Sequence, residues 1–172
     1  MTADSMLRRV SLMIAATGVS AAAPVQTRIT VTLPSGLARH ASGRLLVFVR
    51  PAMLAGGDAA MVDLDADGVS VASQDIADFG RGRAVVIDAG KRAYPTSFAT
   101  LSAGDYRVQV VLDRDGNYNY RGRGPGDLVS QVTTVHFPLS SSPTIPLDHE
   151  LPVDPGQFDV TGLPPKAAEQ IL

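Results

Sequence analysis

Strict apolar/polar alternation limits what this sequence can fold into more than any other feature. In residues 101–137 a Gly104-Asp105 turn leads into a run with Tyr106, Val108, Val110 and Leu112 on one face and Arg107 and Gln109 on the other. Residues 27–33 repeat the pattern, with Ile29, Val31 and Leu33 set against Arg28, Thr30 and Thr32, and Pro34 and Gly36 end the run. A period of two is incompatible with a helical stripe, so both runs read as half-buried strands. Residues 45–49 are apolar at every position, as in a central strand covered on both sides. Further short extended runs lie at 69–73, 84–88, 129–137 and 144–147, separated by Gly, Pro and Asp-Gly turns. About seven short strands, no internal repeat and no helical period predict an all-β fold, an immunoglobulin-like antiparallel β-sandwich.

The domain organisation follows from the ends. In the first 23 residues, Arg8 and Arg9 precede an apolar stretch at 10–19 and small residues at 20–23, the pattern of a secretory signal peptide covering 1–22. The Arg pair lacks the flanking residues of a twin-arginine signal, so Sec export is expected. The sandwich is expected over 26–152, with 153–172 a Pro/Gly-rich linker or tail. The predicted location is periplasmic or secreted. The absence of Cys fits such a compartment without requiring it and leaves no thiol for a lipid anchor. Without Asp4, Arg8 and Arg9, 13 basic residues face 16 acidic ones, a net charge of −3. This balance argues against a nucleic-acid partner, and no run is long and apolar enough to predict a membrane span.

Two loops carry oxygen ligands at alternate positions. Asp63, Asp65, Asp67 and Gly68 occupy the first, third, fifth and sixth places of a calcium loop, but Gln74 stands where a bidentate Glu is needed. Asp113, Asp115 and Asn117, with Asn119 and Asp127 further on, form a second and less charged candidate. Asp-Gly turns and Asn-rich loops use the same residues for backbone geometry alone. The expectation is therefore no cofactor, with calcium as the one candidate and Asp63, Asp65 and Asp67 as its best ligands. Arg121 and Arg123 in the Gly-rich tip suit an anion, a solvated turn or packing on a neighbouring domain. His40, His136 and His149 are too scattered for a metal motif, and neither a Gly-x-Ser-x-Gly elbow nor a nucleophilic Cys is present. No catalytic residue is predicted.

The run LSAGDYRVQVVLDRDGNYNYRGRGPGDLVSQVTTVHF resembles part of the N-terminal β-sandwich domain of secreted bacterial esterases. The matching residues are Gly104, Tyr106, Val108, Gln109, Val111, Leu112 and Asp113, then Pro125, Gly126, Asp127 and Ser130. SGRLLVFVRP, VVIDAG with Tyr94-Pro95, and IPLDHELP occur in the same order, so the resemblance covers about residues 42–152. Val110, Asp127 and Val129 depart from the family's usual Ala, Asn and Tyr. The Asp-rich loop is also loosely similar to small periplasmic domains with an Asp-x-Asn-Gly-Asn stretch. The esterase resemblance implies a sandwich that accompanies an α/β-hydrolase domain. None of that domain's motifs occurs in the sequence, so no catalytic residue carries over. The expected function is a non-catalytic accessory or interaction module, its partner a hydrolase domain or another protein. The alternatives are a fragment or subunit of an esterase and a calcium-stabilised structural or adhesion domain.

Export predicts cleavage after Ala21, Ala22 or Ala23. N-terminal sequencing of protein recovered from the periplasm should begin at one of the following residues, and an intact Met1 would contradict export by this signal.

Overall fold

The structure, a computed structural model, describes residues 27–54, 61, 62, 64, 67–118 and 122–152. It is an all-β sandwich. Its strands are β1 (Arg28–Thr32), β2 (His40–Pro51), β3 (Ser70–Gly80), β4 (Ala84–Asp88), β5 (Ala93–Tyr94), β6 (Gly104–Asp113), β7 (Leu128–Val129), β8 (Thr133–Phe137), β9 (Thr144–Pro146) and β10 (His149–Glu150). One 3-10 turn, Phe98–Thr100, is capped by the Ser97 hydroxyl, which accepts from the Ala99 N–H. The smaller sheet has the order β4-β1-β9, and the larger runs β10-β7-β6-β2-β3-β5, with β8 also paired to β6. Pairing is antiparallel except between β1 and β9, which run parallel with Val31 opposite Ile145. No helix among the described residues is long and apolar enough to cross a membrane.

The alternation in the sequence is the facing in the fold. Ile29, Val31 and Ile87 of the smaller sheet are wholly buried against Leu45, Val47, Val108, Val110 and Leu112 of the larger one. Tyr106 and Phe98 pack edge-on to Phe137, with ring centroids 5.2 and 5.9 Å away, geometry worth about 0.5–1.5 kcal/mol per pair beyond burial. The Tyr106 hydroxyl donates to the Ser102 carbonyl at 3.1 Å, tying the entry of β6 to the chain just upstream, as a tyrosine corner does in Greek-key sandwiches.

Three expectations need correction. The strand read at 69–73 continues to Gly80, because Gln74, Asp75 and Ile76 stay in register with Leu45, Arg44 and Gly43 of β2. The run at 129–137 is two strands, not one. Between them the Ser130 side chain takes over the ladder's work: its hydroxyl accepts from the Val110 N–H at 2.9 Å and donates to the Gln131 carbonyl. Gln109, expected to face outward, is buried on that outer face because a second layer covers it. Leu46, Phe48, Val62, Val69, Val111, Tyr118 and Val129 form this smaller core, roofed by the loops after β2 and β6. Both faces of β2 are therefore covered, as the all-apolar run at 45–49 requires.

The register of β2 and β3 shifts beside Gly43, where Ala77 and Asp78 of β3 stand against the single residue Ser42, and Gly43 itself lies against the end of β6. Gly43 has φ +147°, and a Cβ there would fall 2.1 Å from the Asp113 carbonyl oxygen. Gly43→Ala combines backbone strain with a main-chain clash, and we expect it to cost about 3 kcal/mol or more. Gly36→Ala, where a Cβ meets nothing within 4 Å, serves as the control in denaturant melts and should change stability little.

Candidate functional site

The loop that leaves β6 is built on two buried carboxylates. Asp113 ends the strand on its outer face, and Asp127 immediately precedes β7. Their side chains are almost fully enclosed, at 2% and 1% exposure. Asp113 accepts from the N–H groups of Gly116 at 2.9 Å and Tyr118 at 3.3 Å. Asp127 accepts from Gly124 at 2.8 Å and from Arg114 at 3.0 Å. Asp127 thus joins the start of the loop to its end, and all four carboxylate oxygens have main-chain donors.

The same fold brings a third carboxylate alongside. Oxygens of Asp113, Asp115 and Asp127 lie within 4.8 Å of one another. Asp115 is exposed; it accepts from the Asn117 N–H at 3.2 Å and from the Asn117 side-chain amide at 2.6 Å. The Asn117 amide oxygen is buried with no donor. The nearby Arg114 guanidinium turns away, donating to the Gly126 carbonyl at 3.1 Å and to Glu150 at 3.3 Å. Burial pushes the Asp127 carboxyl above the usual aspartate range, against the pull of the Gly124 and Arg114 N–H groups, and the charges of Asp113 and Asp115 add to the rise. Three carboxylate oxygens and an amide oxygen are the hard donors that calcium takes.

Of the residues singled out from sequence on this loop, Asp113, Asp115, Asn117 and Asp127 are brought together, while Asn119 and Arg121 lie outside the described residues. Asp63 and Asp65 lie outside the described residues. Asp67 is exposed, and its main-chain carbonyl accepts from Arg50 Nε at 3.1 Å. Among the described residues the acidic cluster is the one on the Asp113 loop. Each histidine pairs with a surface aspartate instead of another ligand: His40 with Asp78 at 2.9 Å, His136 with Asp105 at 2.8 Å and His149 with Asp148 at 2.5 Å.

Sequence reasoning overlooked the part played by Arg123. Its guanidinium lies 5.8 Å from the Phe48 ring centroid and donates to the Val62 carbonyl. Tyr118 stacks on the same ring at 5.5 Å. Gln109 completes the join, accepting from the Val62 N–H at 2.8 Å and donating to the Ser130 carbonyl at 2.9 Å. The loops after β2 and β6 are thus held to each other and to the sheet. A positive charge four residues before Asp127 was the available signal, but nothing in one sequence connects it with Val62. No family model, curated protein or solved structure matches the chain.

The raised carboxyl of Asp127 has a definite pH consequence. With its folded-state value above the unfolded one, the native state binds the extra proton between the two, so this group's contribution to stability falls as pH rises through that window. Melts in chelator from the ordinary aspartate range to neutrality should show the wild type losing stability relative to Asp127→Asn. A difference that stays constant or moves the other way would contradict the direction of the shift.

Proposed function

We propose that this chain is a non-catalytic accessory or interaction module of an exported protein, a β-sandwich that accompanies a hydrolase domain or another protein partner. The observation that carries the reading is the commitment of Asp113 and Asp127. A general acid or base needs a carboxylate oxygen within reach of substrate. Here both enclosed carboxylates spend their oxygens on main-chain N–H groups, and their work is to shape a loop. The resemblance at residues 42–152 and the signal-like start support the accessory role and the export. They leave the esterase fragment or subunit as its nearest alternative.

A second reading, a calcium-stabilised domain, is favoured by one specific observation. The three clustered carboxylates have no ion-pair partner among the described residues, while the Asn117 amide oxygen is buried without a donor. Removing one member of such a like-charged group, or neutralising it with a cation, relieves repulsion.

One pair of measurements separates the readings. Purified protein freed of its signal should not turn over a short-chain nitrophenyl ester, and turnover lost in Asp113→Ala would overturn the non-catalytic reading. Melting in millimolar calcium and in chelator should agree closely. A specific ion at a hundredfold excess over its dissociation constant adds about 2.7 kcal/mol, and a rise of that size abolished by Asp115→Ala would establish the calcium reading instead.

A further inference from the structure

The turn between β3 and β4 gathers positive charge. Gly80, Arg81, Gly82 and Arg83 make it, and the Arg83 N–H closes it by donating to the Gly80 carbonyl at 3.0 Å. Gly82 takes φ +68° there, the left-handed backbone that favours glycine. The Arg81 N–H donates to the Arg39 carbonyl at 2.9 Å, so main chain fixes a third arginine beside the other two. Arg39, His40, Gly80, Arg81 and Arg83 line one open cleft of about 370 Å³, a volume within the range of small-ligand sites. The stem of Arg83 is seated on the turn. Gly80 is buried, and a Cβ on it would lie 3.3 Å from Arg83 Cδ and 3.5 Å from Nε. The stem therefore lies across the glycine, which holds the guanidinium at the cleft.

None of the three guanidinium groups has a carboxylate partner among the described residues. Asp78, whose carboxylate the charge of Arg83 reaches, is taken by His40 Nδ1 at 2.9 Å. That hydrogen bond holds the Asp78 carboxyl below the ordinary aspartate range, and the Arg83 charge adds to the fall. Acidic residues outnumber basic ones in the whole chain, 17 to 15, so the excess of positive charge is local. Three like charges around one cleft repel each other. Guanidinium is also the cation whose flat, forked donors match the oxygens of phosphate.

We propose that this cleft binds a phosphomonoester, with Arg39, Arg81 and Arg83 holding its oxygens. Charge selects that class. Three guanidinium charges less the one on Asp78 leave +2 with His40 neutral. A phosphomonoester carries about −1.5 to −2 near neutrality and balances that excess. A carboxylate, a sulfate ester or a phosphodiester supplies about half as much. None of the arginines belongs to the Asp113 loop, so the site is independent of the acidic cluster there. The same group occurs on soluble molecules and on lipid headgroups, and the cleft would recognise it on both.

The test is calorimetric titration of the full mature chain with glycerol 3-phosphate at fixed ionic strength, which holds screening constant. One site per chain should fill with a dissociation constant of millimolar or below, at least about tenfold tighter than for methyl sulfate or acetate. Arg39→Gln and Arg81→Gln should each weaken binding about tenfold. Arg83→Lys should do the same, since it keeps the charge and loses the fork. All three side chains are exposed, so the circular dichroism of the sheet should be retained. Arg92→Gln makes the same change in net charge beside Ser73, and should leave binding unaltered. Cosedimentation with phosphatidylcholine vesicles carrying phosphatidic acid separates the sources. Tighter binding there than to glycerol 3-phosphate assigns the group to a lipid headgroup, and equal or weaker binding to a soluble molecule. Absence of saturable binding in both arms overturns the proposal. So does equal affinity for methyl sulfate or acetate, binding that persists unchanged in the Arg39, Arg81 and Arg83 variants, or binding that Arg92→Gln abolishes.

Discussion

The whole arrangement rests on satisfying main-chain polar groups beneath a strand pair that is buried twice. With β2 and β6 at the centre of the larger sheet, their inner faces meet the smaller sheet and their outer faces need another cover. That cover is loop, and loop brings N–H and C=O groups with no ladder to join. An unpaired buried group costs about 1–3 kcal/mol, so a few left open would outweigh the benefit of burying the apolar side chains beneath them. The cost is removed by side chains that act as main-chain surrogates: Gln109 for Val62 and Ser130, Ser130 for Val110, Asp113 for Gly116 and Tyr118, and Asp127 for Arg114 and Gly124.

The polar residues that look most like functional groups in the sequence therefore have an architectural occupation. Carboxylates are well suited to it, since hydrogen bonds to charged acceptors are stronger than neutral ones. Their use has an electrostatic cost, for it gathers three negative groups into a small volume at the end of the sheet. A proton on Asp127 offsets part of that cost, and a hard cation is the other agent with the right chemistry. The cluster is thus a product of the way the loop is held.

The strands were legible from sequence wherever one face alone decides the pattern. Ile29, Val31 and Leu33, and Tyr106, Val108, Val110 and Leu112, declare their facing by period two, and all are buried as that period requires. The same rule misled at Gln109, because alternation identifies the face opposite the first core and cannot say whether a loop later covers it. Continuation of β3 past Ser73 was hidden for a different reason: Gln74 and Asp75 are polar, and the register shift between Ile76 and Phe79 breaks the period of two that those buried apolar residues would otherwise show. At the site, Asp113, Asp115 and Asn117 announce themselves by spacing along one loop. The closing residue, Asp127, is distant in sequence and becomes a neighbour only when β7 returns along β6. Arg123 and Val62 are farther apart still, and their contact is a property of the folded sheet alone.

The close approach of Gly43 to the end of β6 has a consequence for how relatives of this chain can differ. Because the α-carbon there lies against the Asp113 carbonyl, drift at position 43 is blocked by main chain, which no compensating side-chain change can move aside. Exposed loop positions such as Asp115 are less constrained, provided a carboxylate at each end still gathers the stray N–H groups and an arginine still reaches the Val62 carbonyl. Distant homologues should therefore retain a sparse signature of one glycine early in the second strand and two aspartates bracketing a loop of variable sequence. An alignment anchored on those three places can survive divergence that erases the apolar runs between them.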